Sequence, residues 1–169
     1  MQLELRLSDY EEIEIGLNLL KKAAYWLKSK NIDYWQSWIN PQELYIDWIK
    51  QGFKNGQFYF VLNNFRIIGM FRLQWDDELF WGKQENDSGY IHSFTIDRDY
   101  YGQGLGKQVL LMIEDLCVKN NKHFLRLDCG VNVTGLCKYY SDFGFNSVGE
   151  VLIHNERLVL FEKRIFEKN

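Results

Sequence analysis

One proline, three cysteines and three histidines stand among 169 residues, and each scarcity removes a class of protein. With Pro41 alone and no repeat or low-complexity stretch, nothing reads as an interdomain linker, and residues 1–169 read as a single domain. Cys117, Cys129 and Cys137 are odd in number and lack metal-type spacing, so they read as reduced thiols of a cytoplasmic protein, and no metal site is expected. There is no basic block; the net charge is −3 and the pI about 5.6, which argues against nucleic acid as a partner. The acidity favours cationic substrates only weakly. The polar, acidic start does not have the form of a signal peptide, and no apolar run approaches membrane-spanning length, so no membrane partner is expected. What is plentiful is aromatic side chain, at 17%, enough to fill a core and line a pocket.

The most informative segment is Tyr101-Gly-Gln-Gly-Leu-Gly-Lys-Gln108, between a strand-like run and an amphipathic helix. Alternating glycines remove side chains where the helix begins. Backbone N–H groups can then close on a phosphate with the positive end of the helix dipole behind them. A Walker A loop is excluded, because Tyr101 stands five positions before Gly106 and Gln108 replaces the magnesium-binding hydroxyl. A dinucleotide fingerprint is excluded too: read from Gly102 or from Gly104, its last glycine falls on Lys107 or Val109. An ordinary strand-to-helix turn does not require three glycines, each of which carries an entropic cost.

Along the chain, Gln2 to Leu7 alternates as a strand, and Ser8 with Glu11 has the form of a capping box. Ile13, Leu17, Leu20, Ala24 and Leu27 mark an amphipathic helix. Asn31 to Asn40 reads as a loop. A second helix is predicted from Pro41 to about Phe53. Phe58–Leu62 and Phe65–Gln74 read as strands turned at Asn63-Asn64, and Trp75–Asp87 as a polar loop. Tyr90–Ile96 is a strand, and Leu105, Val109, Met112, Ile113 and Leu116 stripe the next helix. Phe124–Cys129 is a strand, Val133–Asp142 a short helix, and two strands follow around a turn at His154-Asn155. This order predicts a mixed α/β domain with a largely antiparallel sheet.

Two motifs in this order resemble the GNAT superfamily of N-acetyltransferases: the glycine run Tyr101–Gly106, and Leu127-Asp-Cys129 followed by Tyr139-Tyr140 and Gly144-Phe145. The resemblance covers the whole chain and is strongest from Tyr90 to Glu150. It departs from the family at Tyr101, where Gln or Arg is usual, and at Val133, where an Asn is common. Asn132, one residue earlier, is the candidate for that contact with the cofactor.

The resemblance implies an acetyl-CoA-dependent enzyme that acetylates a primary amine of a small molecule or peptide by direct attack in a ternary complex, releasing coenzyme A. Gln103, Gly104, Leu105, Gly106, Lys107 and Gln108 would hold the pyrophosphate. Phe94, Thr95 and Ile96 would pair their backbone with the pantetheine arm and polarise the thioester carbonyl, a donor effect of ~10²–10³ in rate. Tyr140 falls on the family's tyrosine position and is the candidate acid for the leaving thiolate, since a phenol of pKa about 10 keeps its proton at neutral pH. The spacing of Leu136, Tyr139, Tyr140 and Phe143 is equally that of a buried helix face, with Tyr139 read as its core member. The base stays open among His92, the acidic run Asp76-Asp77-Glu78, and a relay through solvent. His123 and His154 carry no signal. Trp26, Trp35, Trp38, Trp75 and Trp81 fall in the half where the family has its acceptor site, although each also serves as a core anchor. Dimers are common in the family, so a homodimer is carried as an expectation, with no interface stripe in the sequence to support it. The alternative of a different class is a non-catalytic acyl-CoA-binding module. A phosphotransferase is disfavoured by the missing magnesium-binding residues.

Overall fold

The computed structural model of the chain describes residues 2–166. Its elements are β1 (Leu3–Leu7), α1 (Ile13–Ser29), α2 (Glu43–Lys54), β2 (Phe58–Asn63), β3 (Arg66–Gln74), α3 (Glu78–Trp81), β4 (Ser88–Ile96), α4 (Leu105–Lys119), β5 (Phe124–Gly130), α5 (Thr134–Phe143), β6 (Asn146–Ile153) and β7 (Glu156–Arg164). Among the described residues seven strands are joined in the order β1-β2-β3-β4-β5-β7-β6. The β4–β5 pairing is parallel, and β1–β2, β2–β3, β5–β7 and β6–β7 are antiparallel. The mixed α/β class with a largely antiparallel sheet is therefore the observed one. The backbone clusters into two compact units. One runs to Arg72 and adds Ser93–Val109; the other holds Leu73–His92 and the chain from Leu110 onward.

The first unit is built on an aromatic core. Leu20 of α1, Ile49 and Phe53 of α2, and Phe58, Phe60, Leu62 and Met70 of β2 and β3 are buried together, with Trp35, Trp38 and Trp48 packed against them. Each such side chain contributes roughly 1.5–3 kcal/mol through its removal from water. Arg72 is buried in the same unit, bonded to Gln57 Oε1 at 2.6 and 3.0 Å and stacked 4.1 Å over the Trp48 ring.

Four local expectations are corrected in these elements. The capping box is Asp9 with Glu12, one residue later than Ser8 with Glu11, because the buried Ser8 hydroxyl instead donates to the Phe58 carbonyl at 3.0 Å. Helix α2 begins at Glu43 rather than Pro41, with an extended Gln42 ahead of it. The β2–β3 turn is Asn64-Phe65, at φ 47° and 68°, because Asn63 is still paired with Arg66. The stretch after Trp75 is not all loop, since Glu78–Trp81 forms a single helical turn.

In the second unit β5 lies between β4 and β7. Its residues Leu125, Leu127 and Cys129 are buried, as are Tyr90, Ile113, Cys117, Phe145 and Phe161. Arg126 ties the strands together, donating to Tyr90 Oη at 2.8 Å and to Glu162 of β7 at 2.7 Å. The closing hairpin turns at His154-Asn155, both left-handed at φ 48° and 66°.

Candidate active site

The first unit offers a site made of backbone. Within β4, Ser93 has φ 52°, a left-handed conformation that costs a non-glycine residue about 1–2 kcal/mol, just before Phe94. Thr95 is buried, and Phe94 and Ile96 are half-buried. The backbone of the neighbouring strand β3 lies close beside them: a Cβ at Gly69 would lie 2.5 Å from the Thr95 carbonyl oxygen and 2.7 Å from Ile96 Cδ1, so only glycine fits.

After β4 the chain makes a short turn at Arg98–Tyr100 and enters the glycine run. Gly102 and Gly104 have φ 77° and 70°, and a Cβ built on either would have nothing within 4 Å. Leu105 is buried and anchors the head of α4, while Gln103, Lys107 and Gln108 are exposed. The first-turn N–H groups of any α-helix have no intrahelical acceptor. Here the two glycines before them put no side chain in the way, an arrangement that suits an anion. Tyr101, the departure from the family pattern, lies 5.6 Å from the Trp26 ring, and the Arg98 guanidinium lies 4.3 Å from the same indole. Lys22 of α1 reaches Asp97 at 2.6 Å and Asp99 at 3.3 Å, holding the turn that precedes the loop.

The second unit offers a site made of side chains. The β4–β5 ladder holds through Ser88–Tyr90 against Phe124–Arg126. One side-chain period further along each strand, His92 and Asp128 face each other, with Nδ1 to Oδ2 at 3.5 Å. Asp77, from the loop before α3, takes the other ring nitrogen, with Nε2 to Oδ2 at 2.6 Å. The Phe80 ring lies 4.6 Å from the imidazole at 51° and fixes its plane. All three polar side chains are buried, at 8%, 5% and 10% exposure for His92, Asp77 and Asp128. Oδ2 of Asp128 has no hydrogen-bond partner. Burial pushes the Asp128 carboxyl up to about 6; His92 pulls it down, and the charges of Asp77 and Glu156 add to the rise.

On α5, Tyr140 is 6% exposed, with its ring 5.8 Å from Phe145 and 6.1 Å from Phe161. Tyr140, not Tyr139, is thus the deeper member of the pair; Tyr139 is half-buried, and burial raises its phenol pKa. The sequence pattern could not separate them, because adjacent positions on a helix both border the apolar stripe. Cys137 of α5 lies 3.0 Å, sulfur to sulfur, from Cys129 of β5.

The structure therefore brings His92 together with Asp77 and holds Tyr140 in the same unit. Phe94–Ile96 and Gln103–Gln108 belong to the other unit, while Asn132 is exposed in the turn between β5 and α5. Asp76 and Glu78 are exposed and flank the buried Asp77. Sequence reasoning missed Asp128. The available signal was a carboxylate between two buried apolar residues, Leu127 and Cys129. The tryptophan faces are largely used by the protein itself: Trp26 by Arg98, Trp75 by Lys122 and Trp81 by Arg126, while Trp35 and Trp38 pack on the core.

A model of the acetyltransferase (GNAT) family matches residues 27–145. A Bacillus subtilis (strain 168) protein, the uncharacterized N-acetyltransferase YesJ, is 26% identical over 145 residues, covering 83% of this chain and 79% of that protein. A GNAT-family acetyltransferase of Listeria monocytogenes 4b F2365 has the same fold, with TM-score 0.78 at 21% identity over 96% of this chain and 95% of that one. The aminoglycoside acetyltransferase AAC(6')-Ib, solved with ribostamycin and coenzyme A, is similar in fold at TM-score 0.73 and 15% identity, over 97% of this chain and 94% of its own.

Proposed function

This chain belongs to the acetyltransferase (GNAT) family, and from that membership we propose that it moves the acetyl group of acetyl-CoA to a primary amine of a small molecule or peptide by direct attack within a ternary complex. The observation that supports this reading is the pair of left-handed glycines at the head of α4, where a Cβ would meet nothing within 4 Å and no side chain stands between the first N–H groups of the helix and a pyrophosphate. The backbone of Gln103–Gln108 would hold the pyrophosphate, and Phe94, Thr95 and Ile96, just past the left-handed Ser93, would offer backbone groups to the pantetheine arm. Acetyl-CoA supplies an activated thioester. One β4 N–H polarises its carbonyl, acting as a fixed donor where negative charge develops.

Tyr140 gives its phenolic proton to the departing thiolate. Its ring packs against Phe145 and Phe161, and a phenol is a proton donor at neutral pH. His92 belongs to the proton-accepting side, held in orientation by Asp77. Asn132, exposed beside α5, is a candidate contact for the cofactor. Coenzyme A in the structure of AAC(6')-Ib and the amine nature of its aminoglycoside partner support the class of reaction.

Calorimetric titration with acetyl-CoA, with ATP–magnesium as the control, tests the cofactor. Micromolar acetyl-CoA binding without ATP binding is the expected result, followed by coenzyme A release with an amine panel. Absence of acetyl-CoA binding would overturn the reading of the glycine loop, and binding without turnover on any amine would favour a cofactor-sensing module.

A further inference from the structure

Two thiols of the second unit stand close to bonding distance and take no part in the chemistry described so far. Cys129 of β5 and Cys137 of α5 lie 3.0 Å apart, sulfur to sulfur, whereas a disulfide bond is about 2.0 Å long, so about 1 Å of travel separates contact from bond. The contact is set by backbone rather than by wandering side chains. Cys129 is paired with Val159 of β7, and the Cys137 N–H donates to the Val133 carbonyl at 3.0 Å. The turn between them is pinned by the Val133 N–H on the Gly130 carbonyl at 2.9 Å and the Val131 N–H on the Arg157 carbonyl at 3.0 Å. The two sulfurs differ in access: Cys129 is wholly buried, and Cys137 is partly exposed. Cys137 Sγ also lies 3.6 Å from the Gly130 carbonyl oxygen, which can only accept, so the Cys137 S–H points there and its sulfur accepts from the Cys129 S–H. Burial first, and then the bond to Cys137, push the Cys129 thiol well above its ordinary range. Cys129 therefore keeps its proton, and a reagent arriving from solvent meets Cys137 first.

We propose that Cys129 and Cys137 are a reversible dithiol–disulfide couple, oxidised through Cys137 by a hydroperoxide, and that the disulfide form transfers acetyl groups more slowly. The sulfur of Cys137 attacks the peroxide: an S–O bond forms, the O–O bond breaks, and the leaving oxygen departs with the thiol proton as water or an alcohol. The sulfur of Cys129 then attacks that of Cys137: an S–S bond forms, the S–O bond breaks, and hydroxide leaves with the Cys129 proton as water. The two sulfurs together lose two electrons, and the two peroxide oxygens gain them. A dithiol in solution reverses the bond by exchange. Tyr140 stands one helical turn beyond Cys137, and Asn132 lies within the segment that the bond closes, so closure pulls on both. The effect on turnover rests on the acetyl-transfer reading, in which Tyr140 is the acid: a displacement of about 1 Å costs about 10²-fold in rate. Formation of the bond does not rest on that reading.

Peptide mapping of the whole protein tests the couple. The protein is treated with hydrogen peroxide, unfolded in iodoacetamide and cut with trypsin, which releases Cys129 and Cys137 together in residues 127–138. That peptide should be two hydrogens lighter than its reduced form, carry no alkyl group, and regain both alkylation sites after dithiothreitol. Cys117 is the internal control: wholly buried, its thiol pushed up to about 12 by that burial, it should be alkylated throughout. In Cys129→Ser the reaction should stop at a sulfenic acid on Cys137, captured by dimedone, and in Cys137→Ser the remaining Cys129 should stay reduced. Two alkylated cysteines in the peroxide-treated parent, a sulfinic acid on Cys137 beside an alkylated Cys129, or a Cys117 that reacts as fast would each overturn the couple. The parent's map decides this even where a variant fails to fold. With benzylamine and spermidine as acceptors, the disulfide form should turn over at least tenfold more slowly than the reduced form and recover with dithiothreitol, and the rate of Cys137→Ser should be indifferent to peroxide. Equal rates in the two forms would overturn the effect on transfer. Acetyl-CoA binding without turnover of either amine by the reduced protein would count against the acetyl-transfer reading instead, and the couple would then stand or fall on the peptide map.

Discussion

The two units hold their chemistry in opposite ways. In the first, the candidate groups are backbone: the left-handed Ser93, glycines at φ 77° and 70°, and the open head of α4, all within one stretch of chain and largely exposed. In the second they are side chains, Asp77, His92 and Asp128, drawn from three separate segments and buried. A backbone site depends on conformational permission, which is local and tolerant of which side chains point away. A side-chain site depends on desolvation, which only the packed interior supplies. The first unit should therefore be sensitive to substitutions of glycine and tolerant of its polar residues. The second should be sensitive to charge.

The largest effect expected is on the charge side. Asp77→Ala leaves His92 buried without its short partner and should cost about 3–5 kcal/mol of stability at pH 7, read by urea unfolding. A loss below about 1 kcal/mol would mean that the pair is solvated. Asp128→Asn should act in the other direction. Its folded-state carboxyl pKa, about 6, lies above the ordinary value of 3.8, so the folded protein keeps a proton that the unfolded chain has lost. Stability from this group is present below pH 4, declines as pH rises toward 6, and is gone above it, a swing of about 3 kcal/mol. Asparagine cannot ionise, so the variant should match the parent at pH 4 and exceed it by up to about 3 kcal/mol at pH 7. Equal stabilities at both pH values would break the contrast between the cluster's members.

On the backbone side, Gly104→Val forces a β-branched residue into the left-handed region, at a strain of about 1–3 kcal/mol, and should weaken acetyl-CoA binding roughly 10- to 100-fold by calorimetry. Next in size, Tyr140→Phe should lower turnover at least tenfold with little change in acetyl-CoA affinity, and unchanged turnover would remove Tyr140 from the reaction. The smallest effect is expected at Tyr101, whose side chain is exposed and rests on Trp26: Tyr101→Ala should cost about 1 kcal/mol of stability or less and change acetyl-CoA affinity less than threefold. A large loss there would mean that the loop works through side chains after all.

Much of the first unit was legible because its signals are short-range. The periodicity of Ile13, Leu17, Leu20, Ala24 and Leu27 gives α1 directly, and the glycine run declares its own turn. The errors there are slips of a residue or two. Ser8 gave up its capping role because a carbonyl fifty positions away, Phe58, offered its hydroxyl a buried partner. In the second unit His92 and Asp77 were visible only as a lone strand histidine and part of an acidic run, and Asp128 as an aspartate between Leu127 and Cys129. Which of Tyr139 and Tyr140 lies deeper was equally hidden, because it depends on Phe145 and Phe161.

By itself, then, the sequence determined the order of elements, the mixed α/β class and the glycine loop, because periodicity, capping and backbone permission act over a few residues. The tertiary structure alone decided that His92 stands between Asp77 and Asp128, which acidic residue of the run is buried, and that one carboxylate oxygen is left without a donor. Those are facts of long-range strand pairing and of water excluded from a packed interior, and no local pattern encodes either.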